Sequence, residues 1–316
     1  VLVKVLITGA SGFVGSNLAR KIHKTREYDI SVFVRKETDL WRIRDLLPNL
    51  NLHFIDITDA YEIKKKIEKI KPEIVYHCAT YGVYSSQKNM DKMVETNIVG
   101  SMRLLQALEN AKYLKKFINV GSFFEYGPKQ GSVKESDIAQ PMTPYSITKL
   151  TQTILTRYFY LQKNLPTITL RIFTAYGMYE ETGRLITDIM LATLRNKTLN
   201  ISSLKPKRDF IFIDDVVNAL LNASKVSTTG EVINIGSGKS HSVNQIIKII
   251  SKITNTDLKI NYGQNPHEFD KMINNGYADM RKAKKMLSWS PFYSIEDGLS
   301  KTYDWYKENI QLYESL

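Results

Sequence analysis

A tyrosine that exchanges a proton near neutral pH must have its phenol pKa drawn down from about 10, and a lysine ammonium one helical turn further on supplies the field that does it. That spacing, Tyr-x-x-x-Lys, occurs at Tyr61/Lys65, Tyr84/Lys88, Tyr145/Lys149 and Tyr303/Lys307. Their surroundings choose among them. Tyr61/Lys65 lies on an amphipathic helical pattern with Ile63, Ile67 and Ile70, and Tyr303/Lys307 lies in a C-terminal helical pattern; neither is near the carboxyl end of a strand. Tyr84/Lys88 follows a strand, but Ser85-Ser86 reads as loop. Tyr145/Lys149 follows Pro144, a helix-starting residue, shortly after a strand that delivers Gly121-Ser122. Proton exchange is therefore expected at Tyr145.

Apolar strand-like runs alternate with amphipathic helical runs through the first half of the chain, the pattern of a parallel sheet covered by helices on both faces. Strands are predicted over 3–8, 30–34, 52–55, 74–77, 117–120 and 167–173, with a later one over 232–235; helices are predicted over 12–25, 60–71, 91–111 and 144–164. The fold class is α/β, a doubly wound parallel sheet of the Rossmann type, whose ligands bind at the carboxyl ends of the strands. After residue 173 the alternation loosens and predicts a smaller C-terminal substrate-binding lobe. Residues 1–173 with about 209–236 form the expected dinucleotide domain, and about 174–208 with 237–316 the lobe.

Glycines at 9, 12 and 15 punctuate the turn between the first strand and the first helix: Thr8-Gly9-Ala10-Ser11-Gly12-Phe13-Val14-Gly15. They allow a tight turn, close approach of backbone to a pyrophosphate, and close helix packing, with the helix N-terminus facing the anion. Phe13 and Val14 complete the turn. An NAD enzyme places an acid at the end of the second strand, about 20 residues past the glycines. Here Arg35-Lys36 stands there, which suits the 2′-phosphate of NADP(H); otherwise Arg35 faces water. Asp56, beside Ile57 at the end of the third strand, is placed to accept from an adenine amino group, although a loop-starting Asp would look the same.

Composition removes other classes. The net charge of +12, from 44 Lys+Arg against 32 Asp+Glu, favours anionic partners. Lys64-Lys65-Lys66 lies on a helix face without interleaved aromatics, so it reads as solvated and nucleic acid is not expected. No apolar run approaches the roughly 20 residues of a membrane span. The apolar start ends in turn chemistry rather than a cleavage site, so a cytoplasmic protein is expected. One Cys excludes an internal disulfide, and five scattered His show no metal-ligand spacing.

Taken together, these residues resemble the extended short-chain dehydrogenase/reductase family, in particular its nucleotide-sugar 4-ketoreductases and epimerases. Further matches are His77-Cys78-Ala79, Asn97 with Gly100, Ser122 before Tyr126-Gly127, Leu170-Arg171 before Tyr176-Gly177, Arg208-Asp209-Phe210 before Asp214-Asp215-Val216, and Leu287-Ser288-Trp289-Ser290-Pro291. The resemblance implies that Tyr145 exchanges the proton on a substrate oxygen, Ser122 hydrogen-bonds that oxygen, and Lys149 lowers the Tyr145 pKa and binds the nicotinamide ribose. Cys78, Ala79 and Thr80 would back the cofactor ribose. Arg208 and Arg184 would reach the diphosphate of a nucleotide sugar, and Glu268 its ribose. Thr174 stands where many members have Asn. Tyr81, Tyr84, Phe123, Phe124 and Tyr179 would wall the sugar.

Dehydratases of the family follow the Ser/Thr with Asp-Glu; Phe123-Phe124 occupies those places and Glu125 comes later, so dehydration is not expected. Arg35 then favours an NADPH-dependent reductase of a nucleotide-linked 4-keto-6-deoxyhexose. The alternatives are an NAD-dependent nucleotide-sugar 4-epimerase and a non-catalytic NADP-binding regulatory protein. A homodimer is expected through the helices near 91–111 and 144–164, from the apolar Met93, Leu104, Leu108, Ile154 and Leu155.

Overall fold

The computed structural model describes residues 2–84, 86–263 and 275–314. Among these, seven strands form the central sheet: β1 (Val3–Thr8), β2 (Tyr28–Val34), β3 (Asn51–Phe54), β4 (Ile74–His77), β5 (Lys116–Ser122), β6 (Thr167–Ile172) and β7 (Val232–Ile235). Their spatial order is β7-β6-β5-β4-β1-β2-β3, and every neighbouring pair is parallel. This is the doubly wound arrangement that the alternation predicts. The order reverses between β1 and β4, so the ligand crevice opens beyond Thr8 and His77.

Both faces of the sheet are covered. Within β1 the period of two sends Val5 and Ile7 into one core and Leu6 into the other. The first core is closed by α1 (Phe13–Thr25), through Leu18 and Ile22, and by the helix Ile213–Lys225. The second is closed by α2 (Ala60–Ile70), through Ile63 and Ile67, by Leu104, Leu105 and Leu108 of α3 (90–108), and by Phe159 of α4 (Pro144–Lys163). Burying each such side chain stabilises by about 1.5–3 kcal/mol.

Helix α3 departs from a plain helix. It runs as Met90–Met93, a π-helical stretch Val94–Gly100, then Ser101–Leu108. Asn97, inside the π stretch and fully buried, accepts from the Tyr81 N–H at 2.8 Å and donates to the Tyr81 carbonyl at 2.8 Å and Thr148 Oγ1 at 2.9 Å. The widened turn thus ties the segment after β4 to α4. Met93, Leu104 and Leu108, expected at a dimer surface, are interior residues because this helix serves the sheet core; Leu155 also packs there. Of those five only Ile154 is exposed, together with Met90, Val94, Ile147, Tyr158 and Leu161 on the same helices.

Beyond β6 the chain makes short strand pairs. Thr174–Tyr176 runs parallel to Phe210–Phe212, with Thr174 opposite Phe210, which brings Thr174 beside Arg208 and Asp209. Asn275–Ala278 pairs with Gln130–Val133.

Candidate active site

Three of the glycine positions have distinct physical demands. Gly9 sits at φ +70, and a Cβ there would lie 2.6 Å from the Ala79 backbone nitrogen. A Cβ on Gly15 would lie 2.2 Å from the Gly9 carbonyl oxygen. Gly12 precedes α1 without any side-chain cap, so the first-turn N–H groups are left for an anion. These features fit a dinucleotide pyrophosphate. The turn opens on a cleft of about 1000 Å³ that reaches Gly9, Gly12, Phe13, Val14 and Gly15 at this end.

Arg35, Asp56, Ile57, Cys78, Ala79 and Thr80 also line the cleft. Lys36 does not: it is exposed beside Arg35 and outside the cleft lining, so the expected basic pair reduces there to Arg35. Asp56 Oδ1 accepts from the Thr58 N–H at 2.9 Å and its hydroxyl at 2.7 Å, the turn-starting role weighed against adenine recognition. Burial pushes the Cys78 thiol up to about 12 although Lys149 pulls it down, which leaves it protonated and suited to packing.

The carboxyl end of β5 presents Ser122, and α4 brings Tyr145 to it. Thr143 starts α4 with a reciprocal capping box to Ser146, and Pro144 occupies the first turn. Burial pushes the Tyr145 phenol up to about 12; the Ser122 hydrogen bond, then the Arg184 charge, then a Thr80 hydrogen bond pull it back, while Glu125 adds to the rise. The Lys149 ammonium, 2% exposed, donates to the Val120 carbonyl at 2.6 Å and to Gln152 Oε1. Burial pushes Lys149 down to about 8, against the charges of Glu125 and Cys78.

Ser122 is held from behind. The turn Phe123–Tyr126 carries a capping box, in which Phe124 N–H donates to Ser122 Oγ at 3.3 Å and Ser122 N–H donates to Glu125 Oε1 at 2.8 Å. Glu125, fully buried, pairs through its other oxygen with Arg171 Nε at 2.7 Å. It does not line the cleft, and its carboxylate faces Arg171 and the Ser122 N–H instead. Phe123 and Phe124 do line it; Phe123 stacks on Phe173 and Phe124 sits edge-on to Tyr145.

A side cavity of about 340 Å³ shares Tyr84, Thr174, Glu180, Arg184 and Arg208 with the main cleft. Tyr81 lines the main cleft. Tyr179 does not line either; at φ +66 its ring is drawn onto Trp41 and Trp305, under Arg20. Glu268 lies outside the described residues.

Two features of the site were not anticipated. Glu180, 4% exposed, accepts from the Glu181 N–H at 2.8 Å and lies 3.5 Å from the Tyr84 hydroxyl. Gln152, fully buried, holds Lys149. Only its spacing of three from Lys149 on a helix signalled that. Among the described residues no group of His, Cys, Asp and Glu is arranged to hold a metal, and no helix is long and apolar enough to cross a membrane.

A UDP-glucuronate 4-epimerase of Thermodesulfobacterium geofontis (strain OPF15) is 30% identical over 327 residues, covering 98% of each chain. A dTDP-glucose 4,6-dehydratase of Salmonella typhimurium (strain LT2) is 29% identical over 344 residues, covering 98% of this chain and 94% of the other. The crystal structure of a UDP-glucuronic acid 4-epimerase from Bacillus cereus, in complex with UDP-glucuronic acid and NAD, is similar with a TM-score of 0.87 at 29% identity, covering 97% of this chain and 99% of that one. The profile of the NAD dependent epimerase/dehydratase family matches residues 5–236, from within β1 to the residue after β7, and the chain belongs to that family.

Proposed function

We propose that the protein inverts C4 of the sugar in a nucleotide-diphosphate sugar, through transient oxidation at that carbon. The observation that carries this reading is the pairing of Tyr145 with Ser122 in a cleft whose neighbouring acid, Glu125, is locked to Arg171. Proton transfer is available there and water expulsion is not. The 4-epimerases among the relatives support the same outcome. A bound nicotinamide dinucleotide supplies the hydride acceptor and donor. Tyr145 takes and returns the proton of the C4 oxygen, and the Ser122 hydroxyl holds that oxygen where charge develops. Inversion requires opposite faces of one carbon in the two half-reactions, so the sugar must turn while the locked Phe123–Tyr126 turn keeps Ser122 still.

In this reading Gly9, Gly12, Phe13, Val14, Gly15, Asp56, Ile57, Cys78, Ala79, Thr80 and Lys149 hold the dinucleotide, in residues 1–173 with about 209–236. Arg184 and Arg208 meet the diphosphate near Thr174, with Tyr81 and Phe123 beside the sugar. The exposed Met90, Val94, Ile147, Ile154, Tyr158 and Leu161 support a homodimer, which light scattering tests; a monomer at micromolar concentration contradicts it.

One observation favours a second reading. Arg35 lines the cleft at the end of β2, where NAD enzymes place an acid, and this supports an NADPH-dependent 4-ketoreductase. Two experiments separate them: mass spectrometry of the nucleotide retained on purification, and NMR of UDP-glucose and UDP-glucuronic acid incubated with the parent and with Tyr145→Phe. Retained NAD and 4-epimers formed only by the parent support inversion. Absence of epimers, with NADPH consumed on 4-keto-6-deoxysugar nucleotides, overturns it in favour of reduction.

A further inference from the structure

Behind the active-site pair lies a buried polar chain that neither half of the proposed reaction uses. Lys149 donates to Gln152 Oε1, and Gln152 Nε2 donates to Ser101 Oγ at 2.7 Å. Ser101 Oγ donates its proton to the Asn97 carbonyl at 2.6 Å, an oxygen that can only accept. Ser101 must therefore accept from its other neighbours. This forces the amide of Gln152 to face Ser101 with its NH2 and Lys149 with its oxygen. It also sets His77, whose Nε2 lies 2.8 Å from Ser101 Oγ, as the Nε2–H tautomer, leaving Nδ1 to accept from Thr8 Oγ1 at 2.7 Å. All five side chains are buried. The chain thus runs from Thr8, ahead of the glycine turn, to the ammonium of Lys149, and no member can flip without stranding a polar group in the interior.

We propose that Gln152 is a positioning residue: its carbonyl, oriented by Ser101 and His77, holds the Lys149 ammonium against the Val120 carbonyl and so sets the charge that the active-site cleft feels from Lys149. The proposal rests on the assignment of Tyr145 and Lys149 given above. An ammonium has three N–H groups; two are committed, to Val120 and Gln152, which leaves one for the cleft that Lys149 lines. The titratable groups that interact with Lys149 are Glu125 on the turn after β5, itself paired with Arg171, and His77 and Cys78 at the end of β4; Tyr145 stands one turn earlier on the same helix and lines the same cleft. Asn97 and Ser101 of α3 and Thr148 of α4 complete this polar interior without adding charge. Of these, Gln152 is the neutral neighbour whose exchange changes what Lys149 sees without touching the cleft wall.

Two substitutions at this position make opposite predictions. Gln152→Glu places a carboxylate against the ammonium and should raise the Lys149 proton affinity at least about tenfold. Gln152→Leu removes an acceptor from the charged form in an already buried site and should lower it. The parent and both variants are labelled with 13C,15N-lysine, and the Lys149 Cε resonance, assigned by its loss in Lys149→Met, is followed against pH by NMR. The same variants are assayed for C4 inversion across pH, where the limb governed by Lys149 should move up for Glu and down for Leu. Opposite shifts are expected, whereas loss of packing would lower amplitude with no ordered shift. Equal midpoints in all three proteins, or shifts of the same sign, overturn the proposal. Should Gln152→Leu fail to fold, Gln152→Glu decides alone: an unmoved or lowered midpoint refutes it. The NMR readout needs no turnover, so failure of the inversion reading shows separately, as absent epimers with a normal Lys149 titration.

Discussion

Arg171→Met tests whether the wall behind Ser122 depends on a compensated buried charge. Glu125 is fully buried and Arg171 nearly so, and the Nε–Oε2 contact is 2.7 Å with a second electrostatic contact of the guanidinium over the Tyr126 ring at 4.4 Å. Removing only the cation leaves an uncompensated buried carboxylate, which costs about 3–5 kcal/mol. With an unfolding entropy of about 2.1 cal/mol/K per residue, a chain of 316 residues should lose about 5–8 °C of Tm. Glu125→Gln combined with Arg171→Met should recover much of that loss, since the amide oxygen can still accept from Ser122 N–H and no charge is stranded. Differential scanning calorimetry of the parent, both single variants and the double variant gives the comparison. A loss below about 1 kcal/mol for Arg171→Met, or a double variant less stable than it, would refute the argument.

Gly15→Ala puts a methyl group where the Gly9 carbonyl lies 2.2 Å away, so turn and helix must part. Overpacking of this kind costs about 1–3 kcal/mol, and dinucleotide affinity measured by calorimetric titration should fall about 5- to 150-fold; unchanged affinity would contradict the turn's assignment. Burial lowers Lys149 from 10.5 to about 8, so the unfolded chain binds that proton more tightly and stability rises as pH climbs between those values. Denaturant unfolding should show the parent gaining on Lys149→Met by about 3 kcal/mol from pH 8 to 10.5; a constant difference would contradict the depressed pKa.

The sheet was legible because its signals are local. β1, β4 and β7 begin and end where the apolar runs do, bounded by turn residues, and the glycine turn declares both its strand and its helix. Boundaries moved where tertiary pairing extends a strand: β5 continues to Ser122 because Ser122 pairs opposite Ile172. The π stretch of α3 was not legible, since a buried Asn at a helical position looks like any polar residue until Tyr81 and Thr148 arrive from distant elements. Tyr145, Ser122 and Lys149 could be placed in one cleft from spacing and topology. The direction of the Lys149 ammonium could not, because it depends on a glutamine whose own orientation is set by Ser101 and His77, far apart in sequence. Tyr179 reads as cleft aromatic in sequence, but Trp41 and Trp305 claim its ring.

The central claim is that hydride leaves and returns to the same sugar carbon while Tyr145 handles the oxygen proton. UDP-glucose and UDP-glucuronic acid deuterated at C4, incubated in ordinary water with the purified protein and followed by NMR, test it directly. The account predicts 4-epimers that keep the deuterium at C4, with no interconversion by Tyr145→Phe. Replacement of the C4 deuterium by solvent hydrogen in the epimer, or undiminished interconversion by Tyr145→Phe, would contradict it.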